Sequence, residues 1–238
     1  MSGLFRAVRE DSTVRASTSG RYPPALRVPA CCALAMLVLL GCGGGGGGGG
    51  EEPVPESPFS VLSGKTVLLL AVQYVRRPEG PWIGGARNAK DVARQADMEI
   101  EFALLEEAGR TTWIFPEQQV EVLRGQPMFD IDPYALSADV ARKGGRDFKR
   151  VWDPLYGEIR PLVALFDARY VLFPVEVYYE QDRDAGVDEG RVVIKTVLFD
   201  GRSGTVMFQG AILGADEAVT SPGALASAAQ KFAREVSR

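Results

Sequence analysis

Residues 170–180 (YVLFPVEVYYE), 191–200 (RVVIKTVLFD) and 205–213 (TVMFQGAIL) are three apolar runs of strand length that follow one another closely. The polar segment 181–190 separates the first two runs, and the turn sequence GRSG separates the last two. Short polar connections join antiparallel neighbours, so this stretch predicts a three-stranded meander. Pro174 lacks the amide hydrogen of a ladder bond, so its strand is expected to lie at an edge there or to carry a bulge.

The segments upstream of the meander predict a β-α-β unit. Val67 to Tyr74 (VLLLAVQY) is a nearly continuous apolar run, which is typical of a central strand covered on both faces. Asn88 is a plausible N-cap for a helix to about Glu107, and Thr111 to Phe115 (TTWIF) follows as a short strand. The helix has one apolar stripe, formed by Val92, Ala96, Ile100 and Leu104.

Helical spacing fills the segment between the β-α-β unit and the meander. Glu117 to Arg124 and Tyr134 to Arg142 are predicted as short helices, and apolar residues three and four apart from Trp152 to Phe166 predict a longer one. Pro161 is expected to kink or divide that longer helix. Ser221 with Pro222 begins a closing helix.

These patterns together predict an α/β (α+β) fold. We expect a single three-layer-type domain with a mixed sheet of about five strands, because one strand pair is parallel and the meander is antiparallel. The order of the main elements is β-α-β-α-α-β-β-β-α.

Several of these segments resemble one family. The opening strand, Asp97 in the helix sequence DMEIEFALLEEAG, the strand of Trp113, ARYVL at 168–172 and DGRSGTV at 200–206 resemble the amino-terminal domain of TolB and the periplasmic domain of the curli secretion lipoprotein CsgG. The resemblance covers about residues 65–236. It implies a TolB amino-terminal-domain-like (anticodon-binding-like) fold in an envelope protein that acts by contact with other proteins. The sequence shows neither the β-propeller of TolB nor the long hairpins of CsgG, so pore formation is not expected.

Residues 1–42 have the layout of an export signal. Five arginines precede an apolar run of eleven residues at 30–40, and the run ends in Leu39-Leu40-Gly41-Cys42. This ending resembles the lipobox of bacterial lipoproteins, which implies cleavage before Cys42 and acylation of that residue. A transmembrane helix needs about 20 apolar residues, so a spanning helix is the weaker interpretation. The alternative is a buried apolar helix with an incidental cysteine.

The leader sets the expected domain organisation and location. We expect a signal peptide at 1–41, an acylated cysteine with a flexible tether at 42–62, and an α/β periplasmic domain at 63–238. The tether has eight consecutive glycines followed by proline and glutamate, and such a segment has little to bury. Gly43 is not the aspartate that retains enterobacterial lipoproteins in the inner membrane. The expected location is therefore the periplasmic face of the outer membrane, with that of the inner membrane as the alternative.

Charge and composition restrict the function. Residues 1–41 carry +3 and the whole chain −4, so the processed protein would carry about −7. An acidic chain argues against nucleic-acid binding and against electrostatic attraction to anionic lipid. Membrane attachment is therefore expected through acylated Cys42 alone. The chain has no histidine, which excludes Ser-His-Asp and Cys-His catalysis and leaves only carboxylates for zinc.

Three motifs are candidate reaction or metal sites. Ser63-Gly64-Lys65-Thr66 imitates the end of a phosphate loop, but it precedes its strand, so a turn is the better interpretation. Asp97 and Glu101 share a helix face and are interpreted as a solvated edge or as partners of Arg94, rather than as an acid/base pair. The residues Asp130, Asp132 and Asp139 lack the glycine and glutamate of a calcium loop. No catalytic residue, cofactor or metal is predicted.

Aromatic residues give the candidate contact surface. Trp82 lies in a loop rich in Pro, Gly and Arg, and Tyr178 and Tyr179 lie near the end of a strand. Neighbours on a strand face opposite ways, so one tyrosine is expected outside unless the sheet is covered there.

The sequence therefore favours a non-catalytic, lipid-anchored periplasmic protein whose α/β domain binds a protein partner as an accessory of envelope assembly or export. The alternative is a small-molecule or glycan-binding lipoprotein. A carboxylate-dependent hydrolase is the third hypothesis.

Overall fold

Strands of one mixed sheet organise the computed structural model, which describes residues 57–78, 80–144, 148–181 and 189–238. The strands are β1 (Thr66–Leu69), β2 (Tyr74–Val75), β3 (Thr112–Ile114), β4 (Tyr170–Gln181), β5 (Glu189–Asp200) and β6 (Val206–Ala218). Their order is β3-β1-β4-β5-β6, and β2 also pairs with β4. Strand β1 is parallel to β3 and β4, whereas β4, β5 and β6 are antiparallel. The predicted α/β (α+β) class is confirmed, with six strands in the described part rather than about five.

Helices lie on both faces of the sheet. They are α1 (Ala89–Glu107), α2 (Pro116–Arg124), α3 (Asp139–Lys143), α4 (Leu155–Leu165) and α5 (Gly223–Val236). On the first face, α1 and α5 pack over one apolar core, and on the second face α3 and α4 pack over another. The described residues thus have three helices between β3 and β4, which matches the three predicted helical segments, although the predicted order of main elements counts only two.

The meander forms as predicted because its first two strands are apolar on both sides. Residues 170–177 of β4 are all buried, and β4 pairs with β5 along its whole length. The register shifts between Pro174 and Glu176. Pro174 is therefore accommodated by a bulge in the sheet interior, and not at an edge.

The run Val67 to Tyr74 is central, as predicted, but it is not one strand. β1 ends at Leu69, β2 begins at Tyr74, and both pair with β4. Between them, the amide of Val72 donates to Oδ1 of Asp97 on α1 at 2.8 Å. A side-chain acceptor from α1 thus takes the amide that a continuous strand would give to a ladder bond.

Helix α1 begins where the sequence predicts. The side chain of Asn88 accepts a hydrogen bond from the amide of Asp91 at 3.0 Å, which is an N-cap. The predicted core stripe is buried, and it consists of Val92, Ala96, Ile100 and Leu104.

The predicted helix from Tyr134 to Arg142 is wrong over its first half. The amide of Leu136 donates to Oε1 of Gln73 at 2.9 Å, and that of Ser137 donates to Glu158 at 2.7 Å. These side chains replace the carbonyl acceptors of a helix, so helical structure is confined to α3.

Pro161 does not divide its helix. It lies inside α4, which the structure assigns as one helix from Leu155 to Leu165. The missing amide leaves one carbonyl, that of Gly157, without its helical bond, while Leu155, Ile159 and Leu162 hold the helix on the core.

Residues 57–62, which the sequence assigns to the end of the tether, pack against the first face. Phe59 and Leu62 are buried, and the ring centroids of Phe59 and Phe208 lie 4.7 Å apart. The signal peptide, Cys42 and the tether up to residue 56 lie outside the described residues. No helix in the described ranges is long and apolar enough to span a membrane.

Candidate functional site

The outward side of α1 carries a line of exposed apolar side chains, which we call the α1 stripe: Met98, Phe102 and Leu105. These side chains are 56%, 59% and 60% exposed, respectively. Their spacing of four and three residues places them on one side of the helix, opposite the buried stripe. Helix α1 is therefore apolar on two sides, of which the sheet core covers one.

Charged residues flank the α1 stripe. Glu99 and Glu106 are three and four residues from Phe102, and Glu101 is within one turn of Met98 and Leu105. Arg94 lies one turn before Met98. An apolar centre with a mainly acidic rim is the composition of a protein-binding surface, since a solvated helix side exposes few large apolar groups.

Sequence reasoning missed the α1 stripe. It took the stronger apolar period, that of Val92, Ala96, Ile100 and Leu104, as the whole pattern. The missed signal was a second set of apolar residues at positions 98, 102 and 105 of a helix already expected to bury its other side.

Asp97, expected at a solvated edge, is instead held against the backbone between β1 and β2. Its carboxylate is partly buried and accepts the amide of Val72 at 2.8 Å. Burial raises the pKa of Asp97 to about 7, the Val72 amide opposes the rise, and the charge of Glu101 adds to it. The expectation of a solvated Asp97 is therefore wrong, because α1 points this residue at the strand gap.

Glu101 lies one turn after Asp97 on α1. Burial, and then the charge of Glu117, raises the pKa of Glu101 as well. Because the pKa values of Asp97 and Glu101 are shifted in the same direction, the directions alone do not assign one residue as the acid and the other as the base.

The other two motifs form turns. The amide of Lys65 donates to the carbonyl of Leu62 at 3.0 Å, and Gly64 has a φ of +69°. Oδ1 of Asp132 accepts the amide of Tyr134 at 2.9 Å, which is an Asx turn. Within the ranges that the structure describes, no group of three or more Cys, Asp or Glu residues is placed to hold a metal ion.

The three predicted contact residues do not form one surface. Trp82 and Tyr179 are partly buried and pack against the core of the first face. The hydroxyl of Tyr179 donates to the carbonyl of Glu217 at 2.6 Å.

Tyr178 lies on the second face, beneath two cations. The guanidinium of Arg76 is 3.9 Å from its ring centroid and the ammonium of Lys195 is 5.6 Å away. Both cations also pair with the buried Glu176, which sequence reasoning did not single out.

Comparison with solved structures gives weak similarities at low sequence identity. The LpoB C-terminal domain from Salmonella enterica is 15% identical, with 67% of this chain and 86% of that chain covered and a TM-score of 0.37. Lipoprotein GNA1162 from Neisseria meningitidis is 14% identical, with 65% and 83% covered and a TM-score of 0.36. The PelC dodecamer from Paraburkholderia phytofirmans is 19% identical, with 73% and 84% covered and a TM-score of 0.31.

No protein-family model matches the sequence, and no curated protein matches it. Similarities of this size supply neither a family nor a function. The function is therefore inferred from the surface and the sequence themselves.

Proposed function

We propose that this protein is a non-catalytic, lipid-anchored periplasmic protein that binds a protein partner through the α1 stripe, as an accessory of envelope assembly or export. The observation that carries the proposal is the exposure of Met98, Phe102 and Leu105 on one side of α1. Exposure of apolar side chains to water is unfavourable. A partner that covers the three side chains removes their surface from water, and this burial stabilises the complex.

The proposed anchor is acylated Cys42 on the periplasmic face of the outer membrane. It is supported by the leader, whose arginines, apolar run and Leu39-Leu40-Gly41-Cys42 ending follow the lipoprotein layout. The resemblance of the domain sequence to the TolB and CsgG family supports the same compartment.

The partner surface follows from the chemistry of the stripe. A complementary surface has an apolar centre for Met98, Phe102 and Leu105, and basic side chains at its rim opposite Glu99, Glu101 and Glu106. An amphipathic helix with basic flanks fits this description, since helices commonly dock through apolar residues three and four apart.

Affinity purification from detergent-solubilised envelopes tests the proposal. The tagged wild-type protein is compared with a variant carrying Met98→Ser and Phe102→Ser, and with Trp152→Ser as the matched control. Trp152 is 58% exposed and lies outside α1, so the control removes an equally exposed apolar group elsewhere. Captured proteins are identified and quantified by mass spectrometry.

We expect one stoichiometric partner with the wild type and with Trp152→Ser, and a loss of about tenfold or more with the stripe variant. Because the changed side chains are exposed, thermal unfolding of all three proteins should coincide. Equal capture by the stripe variant, or recovery of the wild type alone, would contradict the proposal.

A further inference from the structure

A small polar cavity of about 220 Å³ lies on the second face beside β2 and β4. Its lining includes Tyr74, Arg76, Arg142, Lys143, Glu176 and Lys195. The α1 stripe lies on the first face, so this cavity is a separate feature.

Glu176 is the buried carboxylate of this cavity. It is only 3% exposed, and its carboxylate pairs with Lys195 at 2.7 Å and with Arg76 at 3.2 Å. Burial alone would raise the pKa of Glu176, but the hydrogen bonds from Lys195 and Arg76 hold it below its usual value. One ionised carboxylate thus faces two cations that are also held over Tyr178.

Helix α3 adds two further cations. Arg142 and Lys143 both pair with Asp139, at 3.1 and 3.9 Å. This cluster therefore has four cations and two carboxylates, so two positive charges remain in a chain whose net charge is −4.

A larger groove continues from the cluster. Its volume is about 550 Å³, and Arg142 and Lys195 line both spaces. Beyond these two residues its lining is mixed, with the apolar side chains Phe148, Val197 and Met207 beside the polar Lys149, Thr196 and Gln209. A cluster of cations that opens into a groove with apolar side chains is complementary to a molecule with an anionic head and an apolar body.

We propose that the cavity and the groove together bind a small anionic amphiphile, with its oxyanion head among Arg76, Arg142, Lys143 and Lys195 and its apolar body along Phe148, Val197 and Met207. The excess of cations over carboxylates supports the placement of the anionic head. Arg142 and Lys195, which line both the cavity and the groove, support the placement of the apolar body in the groove.

Methyl NMR of methionine tests this proposal, because Met207 lines the groove whereas Met98 lies in the α1 stripe. The full chain carries Cys42→Ser, so that no acyl group of its own competes, and the methionine signals are assigned with Met98→Leu and Met207→Leu. The probes are decyl phosphate below its micelle concentration, inorganic phosphate and neutral decyl maltoside.

We expect decyl phosphate to shift the Met207 signal saturably without moving that of Met98. Inorganic phosphate should bind about tenfold or more weakly, and decyl maltoside should not saturate the site. Equal binding of inorganic and decyl phosphate would overturn the role of the groove. A shift at Met98 alone, or a saturable effect of the neutral probe, would overturn the site.

Charge variants test the head group separately. Lys143→Glu reverses an exposed charge that lines the cavity, and we expect it to weaken decyl phosphate binding about tenfold. Lys90→Glu makes the same change at an exposed position of α1 and should leave binding unchanged. Glu176→Gln should strengthen binding, because it removes the charge that competes for Arg76 and Lys195. Equal effects of Lys143→Glu and Lys90→Glu would overturn the proposal.

Discussion

Asp97 makes stability depend on pH in the direction opposite to that of a paired carboxylate. Its pKa is about 7 in the folded protein, above the ordinary value for aspartate, so the folded state holds the proton more tightly than the unfolded state. Stability is therefore lost as the pH rises from about 4 to about 7, by on the order of a few kcal/mol. Glu101, whose pKa is also raised, adds to the same trend.

Asp97→Asn should remove most of this dependence. The amide oxygen of asparagine can still accept the hydrogen bond of the Val72 amide, but it does not titrate. We expect the variant to be more stable than the wild type at pH 8 and to lose less stability between pH 5 and pH 8. Urea unfolding at the two pH values measures this loss. If the variant loses as much stability between them as the wild type does, Asp97 is not the titrating group.

The two cations that pair with Glu176 are expected to contribute unequally to the free energy of unfolding. Lys195 is the closer partner, at 2.7 Å, and Arg76 is half exposed. We expect Lys195→Met to lower the free energy of unfolding by about 1–3 kcal/mol and Arg76→Met to lower it less, because water can replace the more exposed partner. Chemical unfolding at pH 7 compares the variants, and a larger loss for Arg76→Met would refute this order.

The pH dependence of that cluster has the usual sign for a carboxylate. Because the folded-state pKa of Glu176 is lowered, its contribution is present above the ordinary glutamate pKa and is lost as the pH falls through the folded value. The difference between wild type and Lys195→Met should therefore shrink in acid.

At the scale of elements, the sequence predicts what local patterns determine. The meander follows from apolar runs and short polar turns, and α1 follows from the Asn88 cap and one apolar period. The break between β1 and β2 could not be predicted, since it depends on a bond from Val72 to a residue 25 positions away. The shortened helix near Tyr134 has the same cause, because Gln73 and Glu158 reach its amides from distant segments.

The candidate site was less predictable than the fold. Aromatic residues were chosen as contact residues by type alone, yet Trp82 and Tyr179 pack against the first-face core and Tyr178 lies beneath Arg76. Exposure of Phe102 depends on which side of α1 faces the sheet. The sequence predicts which side of α1 faces the sheet only when both apolar periods of the helix are compared.

The side chain of Gln119 connects α2 to the parallel part of the sheet through hydrogen bonds. It is fully buried, and its Nε2 donates to the carbonyls of Leu69 at 2.6 Å and Ile114 at 3.1 Å, where β1 and β3 end. Gln119→Leu leaves both carbonyls without this donor, so we expect a loss of about 1–3 kcal/mol. Urea unfolding tests it against Glu121→Leu on the exposed side of the same helix. A loss no greater than that of the control would contradict this role.

At the scale of the whole molecule, we expect one lipid attachment point, Cys42. Metabolic labelling with an alkyne fatty acid should label the wild type and fail to label Cys42→Ser. Cys31→Ser with Cys32→Ser should still be labelled, because both residues would leave with the leader. Labelling of Cys42→Ser, or its loss in the double variant, would contradict the proposed anchor.

Site-specific photo-crosslinking in living cells tests whether a protein partner covers the α1 stripe. A photoreactive phenylalanine analogue is placed at position 102, and in a separate strain at position 152, which is equally exposed. We expect a discrete adduct with one envelope protein from position 102 that is missing from position 152. No adduct from position 102, or the same adducts from both positions, would contradict it.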